Sequence, residues 1–595
     1  MLKTITIPAL LAAAGFAHGA GQAPQDSALT DAALLALDPT RAGRDACRGF
    51  DAGAATLDSR LKLATNMAAM QPGENAPIQI ISGLAQSDLP ATGLNGNERA
   101  FFDQAIALTF GFNHAAAIRS FRAAKALSAQ CAMCWWGEAM AHGMNINAGM
   151  TEDQNRAAIA AIKQAVRLSD GLTPLEQGLI AAQAIRFPDD LAADRPTLEA
   201  KYSEAMIALA GRFPDHDDLL VLAAESAMNT TPWDYWDPET GKARPQIAAA
   251  IGLIEKVMAR SPQHPQASHL YIHLMENSSN PKVAEDAADR LRDSGPKPLG
   301  HLVHMPAHIY HRAGRYADSM KVNIAAARAD EEYLAKVGDD GLYRFGYYPH
   351  NVHFLLTSAQ MIGAVRTTAS ESERLAAILN EDIARALPWV QAIHAAPMFA
   401  QAQYGSPAAI LALNAEPSSL DYVEAMRRYT RAVAYARAGD NAGFNTEIAA
   451  LDSAAGSPVF AEMAEGGFPA DDLIAIAAHV ARGRQSYAEG RFGEAADHYR
   501  AASKIERTIP YTEPAYWYYP VSQSLGAALY AAGDYAGSAR TFRETLFYTP
   551  NNGWALYGLA KAERKLGNLK EAQAAEAVLG RIWQGSGELL RMDRL

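Results

Sequence analysis

Histidine is the residue type in this sequence whose placement could do chemistry. Nine of its sixteen histidines fall between His264 and His353, where even scattering would leave about two or three. His269 and His273 are four apart and Glu276 follows three later, so a helix carries all three on one face. His301, His304, His308 and His311 follow at steps of three, four and three, and His350 and His353 form a third helically spaced pair. Neutral imidazole is the commonest metal ligand at physiological pH, and three helical segments that each offer two or more can surround one or two ions. The predicted ligands are drawn from His269, His273, Glu276, His301, His304, His308, His350 and His353, with at least three sharing a metal. Glu276 either ligates directly or holds an imidazole in the right tautomer. Mixed His/Glu donors suit copper, zinc, iron or manganese, and two groups of three His would also suit a paired copper centre. The competing reading is that these imidazoles are polar packing residues, bonded to one another, to backbone carbonyls or to Glu225.

Pro306 complicates the one-face geometry, because a proline inside a helix removes a hydrogen bond. The helix is expected to start or kink there, and in the first case His301 and His304 enter from a loop. His264 follows a turn-like SPQ and His311 sits beside Arg312, so neither is counted as a ligand. His114, His216, His394, His479 and His498 are isolated and read as structural or exposed.

Three other features carry less specific chemistry. Cys131 and Cys134 form a CAMC motif whose default reading outside the cytoplasm is a local disulfide; with His142 and Met133, Met140 and Met144 nearby, a soft-metal site is the alternative. Cys47 either pairs with one of them or is free. TTPWDYWDP (Trp233, Tyr235, Trp236) and EPAYWYYP (Tyr516, Trp517, Tyr518, Tyr519) set aromatics beside prolines, to line a cavity mouth or, more commonly, to plug the end of a core. The sequence has no Gly-rich phosphate loop with its Lys, no GxSxG, no HExxH and no EF-hand pattern.

The elements that must position these residues read as helices almost throughout. Ala, Leu, Glu, Arg and Met fill long stretches with apolar residues three and four apart, predicting helices over 100–128, 153–168, 174–187, 197–212, 246–260, 317–336, 357–385 and 421–438. A Gly followed by a polar residue recurs after helical runs at Gly314, Gly439, Gly490, Gly533 and Gly567, the last two 34 residues apart. Leu525, Gly526 and Tyr530 precede Gly533, while Phe542 and Pro550 follow it. This is the signature of the tetratricopeptide (TPR) repeat, in which one helix pair cannot bury its own face and neighbours must stack. The expected fold is therefore all-α, a TPR-like α-solenoid of stacked antiparallel helix pairs. With its segments CAMCWWGEAMAHGMN, HLYIHLMENSSNP, GHLVHMPAHIYHRAGRY and YYPHNVHFL in this order, the chain resembles large secreted bacterial TPR proteins over most of residues 97–595. The resemblance implies a helical repeat fold and no particular reaction.

The expected organisation is a signal peptide at 1–20, a segment with few repeat signals at 21–95, a divergent TPR-like region with the His cluster at 96–355, a helical repeat region at 356–475 and C-terminal TPR repeats at 476–595. Lys3, the apolar run from Ile5 to Phe16 and the small residues Ala17, Gly19 and Ala20 form the three-part pattern of a cleaved leader, predicting a periplasmic or secreted protein. No later run of eighteen apolar residues predicts a membrane span. About half the 595 residues are apolar and a fifth charged, which excludes a mainly disordered chain, and a net charge of −12 argues against nucleic acid as partner. The functions that remain are a metal-dependent enzyme (oxidase or hydrolase), a metal storage or delivery protein, and a scaffold that binds a peptide or protein on the solenoid surface. The oligomeric state is not readable from the sequence.

Overall fold

The computed structural model describes residues 77–338, 342–379, 381–465 and 467–595. Among them the regular structure is helical, with only two isolated bridges, Asn145 with Ala148 and Trp236 with Ala243. The helices pack mainly against their sequence neighbours, as antiparallel pairs in a TPR-like solenoid. The leader at 1–20, Cys47 and most of the 21–95 segment lie outside the described residues.

The C-terminal repeats show how the sequence specifies this stacking. Ala470–Ala488 pairs with Phe492–Glu506, Val521–Ala531 with Tyr535–Tyr548, and Gly553–Leu566 with Leu569–Ile582. Gly490, Gly533 and Gly567 make the turns at φ of 78° to 88°, a conformation costly for residues with a Cβ. The fully buried ring of Phe542 wedges between Gly526 and Gly558, where a Cβ would sit 2.8 Å and 2.1 Å from it. Small residues on the neighbouring helices thus make the hole that the large one fills.

Six of the eight predicted helices appear close to their expected bounds. The stretch 100–128 does not form one helix: Gly96–Phe110 and His114–Leu127 are separated at Phe112, whose φ is +59°. Nor does 357–385, which divides among Tyr348–Met361, Val365–Ile378 and Glu381–Ala386, with Gly363 at φ +72° in the first break. Periodicity continues across both breaks, and only the local turn chemistry marks them.

Three of the hydrophobic cores succeed one another along the chain. The first gathers buried residues from Leu89 to Phe354, the second from Ala327 to Leu529 and the third from Ala527 to Leu595. The C-terminal repeats also reach back to the middle of the chain. Trp554 Nε1 donates to the Gln360 carbonyl (2.8 Å), Asn551 Nδ2 to that of Gly314 (3.2 Å), and the Gln584 N–H to that of Ile362 (2.8 Å). This return lays the 507–520 loop over the histidine-bearing helices. No helix among the described residues is long and apolar enough to cross a membrane.

Candidate metal centre

Four short helices present the histidines. Pro265–Glu276 begins with proline in its first turn and His264 as its N-cap, with His264 Nδ1 accepting from the Ala267 N–H. His264 Nε2 meets Asp218 at 3.0 Å, so this ring is structural. Pro306 opens a new helix, Pro306–Arg312, directly after Gly300–His304, and Met305 between them keeps right-handed helical angles. The chain therefore restarts without a loop, and His301 and His304 remain helical. Gly300 admits the Asp330 carboxylate, which a Cβ there would meet at 1.7 Å. Asp330 in turn accepts from the Tyr343 hydroxyl and Asn351 Nδ2 (2.7 Å each), which fixes the start of this helix.

The restart sends the histidines to two places. His269, His273 and His301 form one buried trio, and His304, His308 and His350 form a second. Within each trio, one ligand atom per residue lies within 4.8 Å of the others, so each could hold a metal ion. The trios adjoin: ring centroids of His273 and His308 are 5.6 Å apart, and those of His301 and His304 are 6.3 Å apart. His353 belongs to neither trio and sets its ring 6.0 Å from that of Tyr518. His311 packs against Tyr316 and Phe354.

Hydrogen bonds orient four of the six rings. Asn323 Nδ2 donates to the Ser319 carbonyl (2.9 Å), so its Oδ1 accepts from His304 Nδ1–H (2.6 Å). Gln266 Nε2 donates to Glu225 (3.3 Å), so its Oε1 accepts from His269 Nδ1–H (2.8 Å). Glu276 accepts from one ring of each trio, His273 Nδ1 at 2.8 Å on Oε1 and His308 Nδ1 at 2.7 Å on Oε2. Each of these rings has its Nδ1–H committed to oxygen, which leaves Nε2 as the inward donor atom. His269 and His301 Nε2 are 3.1 Å apart, and His304 and His308 Nε2 are 2.7 Å apart. Two donors at about 2.0–2.1 Å from a tetrahedral ion are separated by roughly 3.3 Å, so the spacing is of ligand size. Glu276 thus fits the second of its two expected roles with respect to the trios, although with His273 and Glu513 it also forms a third group that could hold an ion.

Burial holds most of these imidazoles neutral. It pushes His273 and His350 down to about 3 and His269, His301 and His304 well below the ordinary histidine value, neighbouring rings adding to the effect. His308 is the exception: burial opposes its charge, but Glu276 and Glu513 raise it to about 10. Burial and then Glu276 lift Glu513 itself to about 7.

Several residues here were not among the expected ligands or orienting groups. Glu513 and Tyr511 arrive from the 507–520 loop, and the Tyr511 hydroxyl donates to Glu276 Oε2 at 3.1 Å across 235 positions of sequence. Phe112 sets its ring edge-on 4.8 Å from His269 and tilted 5.1 Å from His301, and Trp233 sets its ring 5.3 Å from His273. Both have positive φ (+59° and +66°), a strained conformation for bulky residues that is commonly retained at functional sites. The aromatic loops serve both readings. Trp233 and Tyr516 line a cavity, Trp517 and Tyr518 are buried in the second core while bordering a second space, and Tyr519 is buried in that core. Cys131 and Cys134 form a disulfide, so the thiolate-metal reading falls.

The cavity beside the trios has a volume of about 210 Å³, and His273, His301, His308 and His350 form part of its wall. A larger space of about 520 Å³ lies against the same 510–516 loop, with His308 and Glu513 lining both.

No protein-family model matches the chain, and no curated protein does. Solved helical-repeat structures do. A human IFIT1 dimer with PPP-AAAA matches at 10% identity and TM-score 0.28, covering 82% of this chain and 91% of that one. The APC/C hetero-tetramer Cut9-Hcn1 matches at 14% identity and TM-score 0.24 (82% and 90% covered), and yeast Tom70 at 10% and 0.25 (83% and 94%). The likeness is loose, and what those proteins bind says nothing about this one.

Proposed function

We propose that this chain is an exported metalloenzyme, an oxidase whose two histidine trios hold a pair of copper ions. The observation that carries the reading is the convergence of two adjoining trios in which four of the six rings turn an Nδ1–H bond outward to an oxygen acceptor and Nε2 inward. His273 Nε2 is buried without a hydrogen-bond partner, at a cost on the order of 2 kcal/mol, and an ion there would convert that cost into folding free energy.

Copper is favoured by the donor set. Six imidazoles supply no negative charge, so the site suits an ion that binds nitrogen strongly and can rest as a monocation. Cu²⁺ heads the affinity order for nitrogen ligands, and Cu⁺ halves the charge to be buried. Two such ions, held by the two trios, would supply a two-electron couple. With dioxygen as oxidant, a substrate XH₂ gives up two electrons and two protons, and XH₂ + O₂ yields X + H₂O₂. The disulfide suits an oxidising compartment, in keeping with export.

The test is metal analysis of the protein purified from its native compartment. Two copper ions per chain are expected, with about one in His273→Ala or His308→Ala and no change in His498→Ala, whose ring pairs with His479 and belongs to neither trio. Zinc in both positions would replace the oxidase by a hydrolase, and no metal at all would return the histidines to a packing role.

A further inference from the structure

His479 and His498 lie 19 positions apart, and the packing of one helix pair brings them together. Helices Ala470–Ala488 and Phe492–Glu506 turn back on each other at Gly490. They approach closely because Gly483 leaves room for the Tyr499 ring, whose nearest carbon a Cβ there would meet at 2.5 Å. His479 stands one turn before Gly483 on the same face, and His498 adjoins Tyr499. The two imidazoles therefore meet across the helix interface, with centroids 5.7 Å apart and planes at 45°.

Their Nδ1 atoms are 3.4 Å apart. This is longer than the roughly 2.7–3.2 Å of a good N–H hydrogen bond, and close to the roughly 3.3 Å between two donors on a tetrahedral ion. Both rings are half-buried, which leaves the pair within reach of solvent. Burial holds both below the ordinary histidine value, helped for His479 by His498 and then Arg482, and for His498 by Arg482. With the remaining proton of each neutral ring on Nε2, both Nδ1 lone pairs point into the gap. Three carboxylates act on the pair, Asp452 on His479 and Glu494 and Asp497 on His498. The single guanidinium, Arg482, is engaged by Asp452 at 2.5 Å. The surroundings thus favour a cation.

We infer that His479 and His498 form an exchangeable site for a divalent transition ion such as zinc, bound through both Nδ1 atoms and completed by water. Imidazole donors select against calcium and magnesium, which take oxygen. The site is separate from the histidine trios and does not rest on the copper reading. Two half-exposed ligands hold an ion less firmly than three buried ones, so desalting removes it and the two-copper count is unaffected.

The experiment is equilibrium dialysis of the desalted full chain against Zn²⁺, for the wild type, His479→Ala and His498→Ala. The wild type should take up about one zinc more per chain than either variant, and release it on a second dialysis against metal-free buffer. Each variant should weaken binding at this site at least tenfold. Hydrogen exchange locates the ion and needs no variant: zinc should slow exchange in Ala470–Ala488 and Phe492–Glu506 of the wild type. Equal zinc uptake by all three proteins, or protection confined to the helices of the histidine trios, overturns the proposal. Uptake at this pair in a protein whose trios hold no metal supports it and removes only the copper reading.

Discussion

The Nε2 atoms of His304 and His308 face each other at 2.7 Å while both rings give their Nδ1–H to oxygen, His304 to Asn323 and His308 to Glu276. Two lone pairs at that distance repel unless a cation lies between them. In metal-free protein the cation is a proton, and the carboxylates that raise His308 to about 10 explain why it stays there.

Metal uptake should therefore release a proton. Below pH 10 an ion entering the second trio has to displace the one on His308, so its apparent affinity should fall by up to tenfold per unit of acidification. Calorimetric titration in buffers of different ionisation enthalpy would report the released proton directly. The same group sets a stability trend. Its folded pKa is raised above the unfolded value near 6.5, so its contribution to metal-free protein is full below 6.5 and is lost as pH rises through 10. His273, His350 and His353, held at about 3, act oppositely, each removing up to about 1.4 kcal/mol per pH unit as pH falls from 6.5 towards 3. Thermal melts of stripped protein across pH should show both limbs.

The two trios should be separable by their orienting amides. Gln266 holds only His269, and Asn323 only His304. Gln266→Ala should weaken the first trio and Asn323→Ala the second, each by about 10–100-fold. Glu276→Gln should affect both, because one carboxylate serves His273 and His308 and an amide can accept for only one of them. Stepwise metal titration would resolve the three patterns; equal loss of both ions in Gln266→Ala would contradict the assignment.

How much of this was legible in the sequence differs between fold and site. The repeat turns at Gly533 and Gly567 and the helical periodicity made the solenoid readable, because local propensity and packing agree there. The helix breaks at Phe112 and Gly363 are not legible in the sequence, because apolar periodicity runs through them. For the site, i, i+4 spacing exposed His269, His273, His304 and His308 as neighbours on helices. It could not divide the histidines into two trios, since that depends on the restart at Pro306. Nor could it bring in Tyr511 and Glu513, which reach the histidines only through the fold-back of the C-terminal repeats. The aromatic run after Glu513 was the one available signal, and most of its rings proved to be core.

The Cys131–Cys134 disulfide should be structural. Cys131 caps the helix Ala132–Ala141, its sulfur accepting from the Cys134 N–H at 3.0 Å, and the ring it closes is short. Loop-closure arithmetic for so small a ring gives about 2 kcal/mol. Replacing both cysteines by alanine should lower the melting temperature by a few degrees, roughly what a ΔΔG of that size produces in a large domain. Metal content should stay unchanged. Loss of copper in that variant would mean that the motif has a part in loading the site.

The longest-range contact gives the last prediction. The Tyr511 hydroxyl donates to the Glu276 carboxylate, Glu276 carries a ring of each trio, and Arg312 ties the two by donating to the Glu276 carbonyl (2.9 Å) and lying over the Tyr511 ring. A metal held by His273 and His308 would fix Glu276, which should in turn fix the loop. A hydrogen bond to a buried carboxylate contributes about 1.5–3 kcal/mol, so Tyr511→Phe should lower the stability of the folded chain by about that much, and metal affinity only by the part of it gained on loading. Hydrogen exchange would test the direction of coupling. In the wild-type protein, metal loading should slow exchange in residues 507–520 as well as in the histidine helices. In Tyr511→Phe the helices should still respond and the loop should not. A loop that remains equally protected in the variant would show that the C-terminal repeats close over the histidines by packing alone.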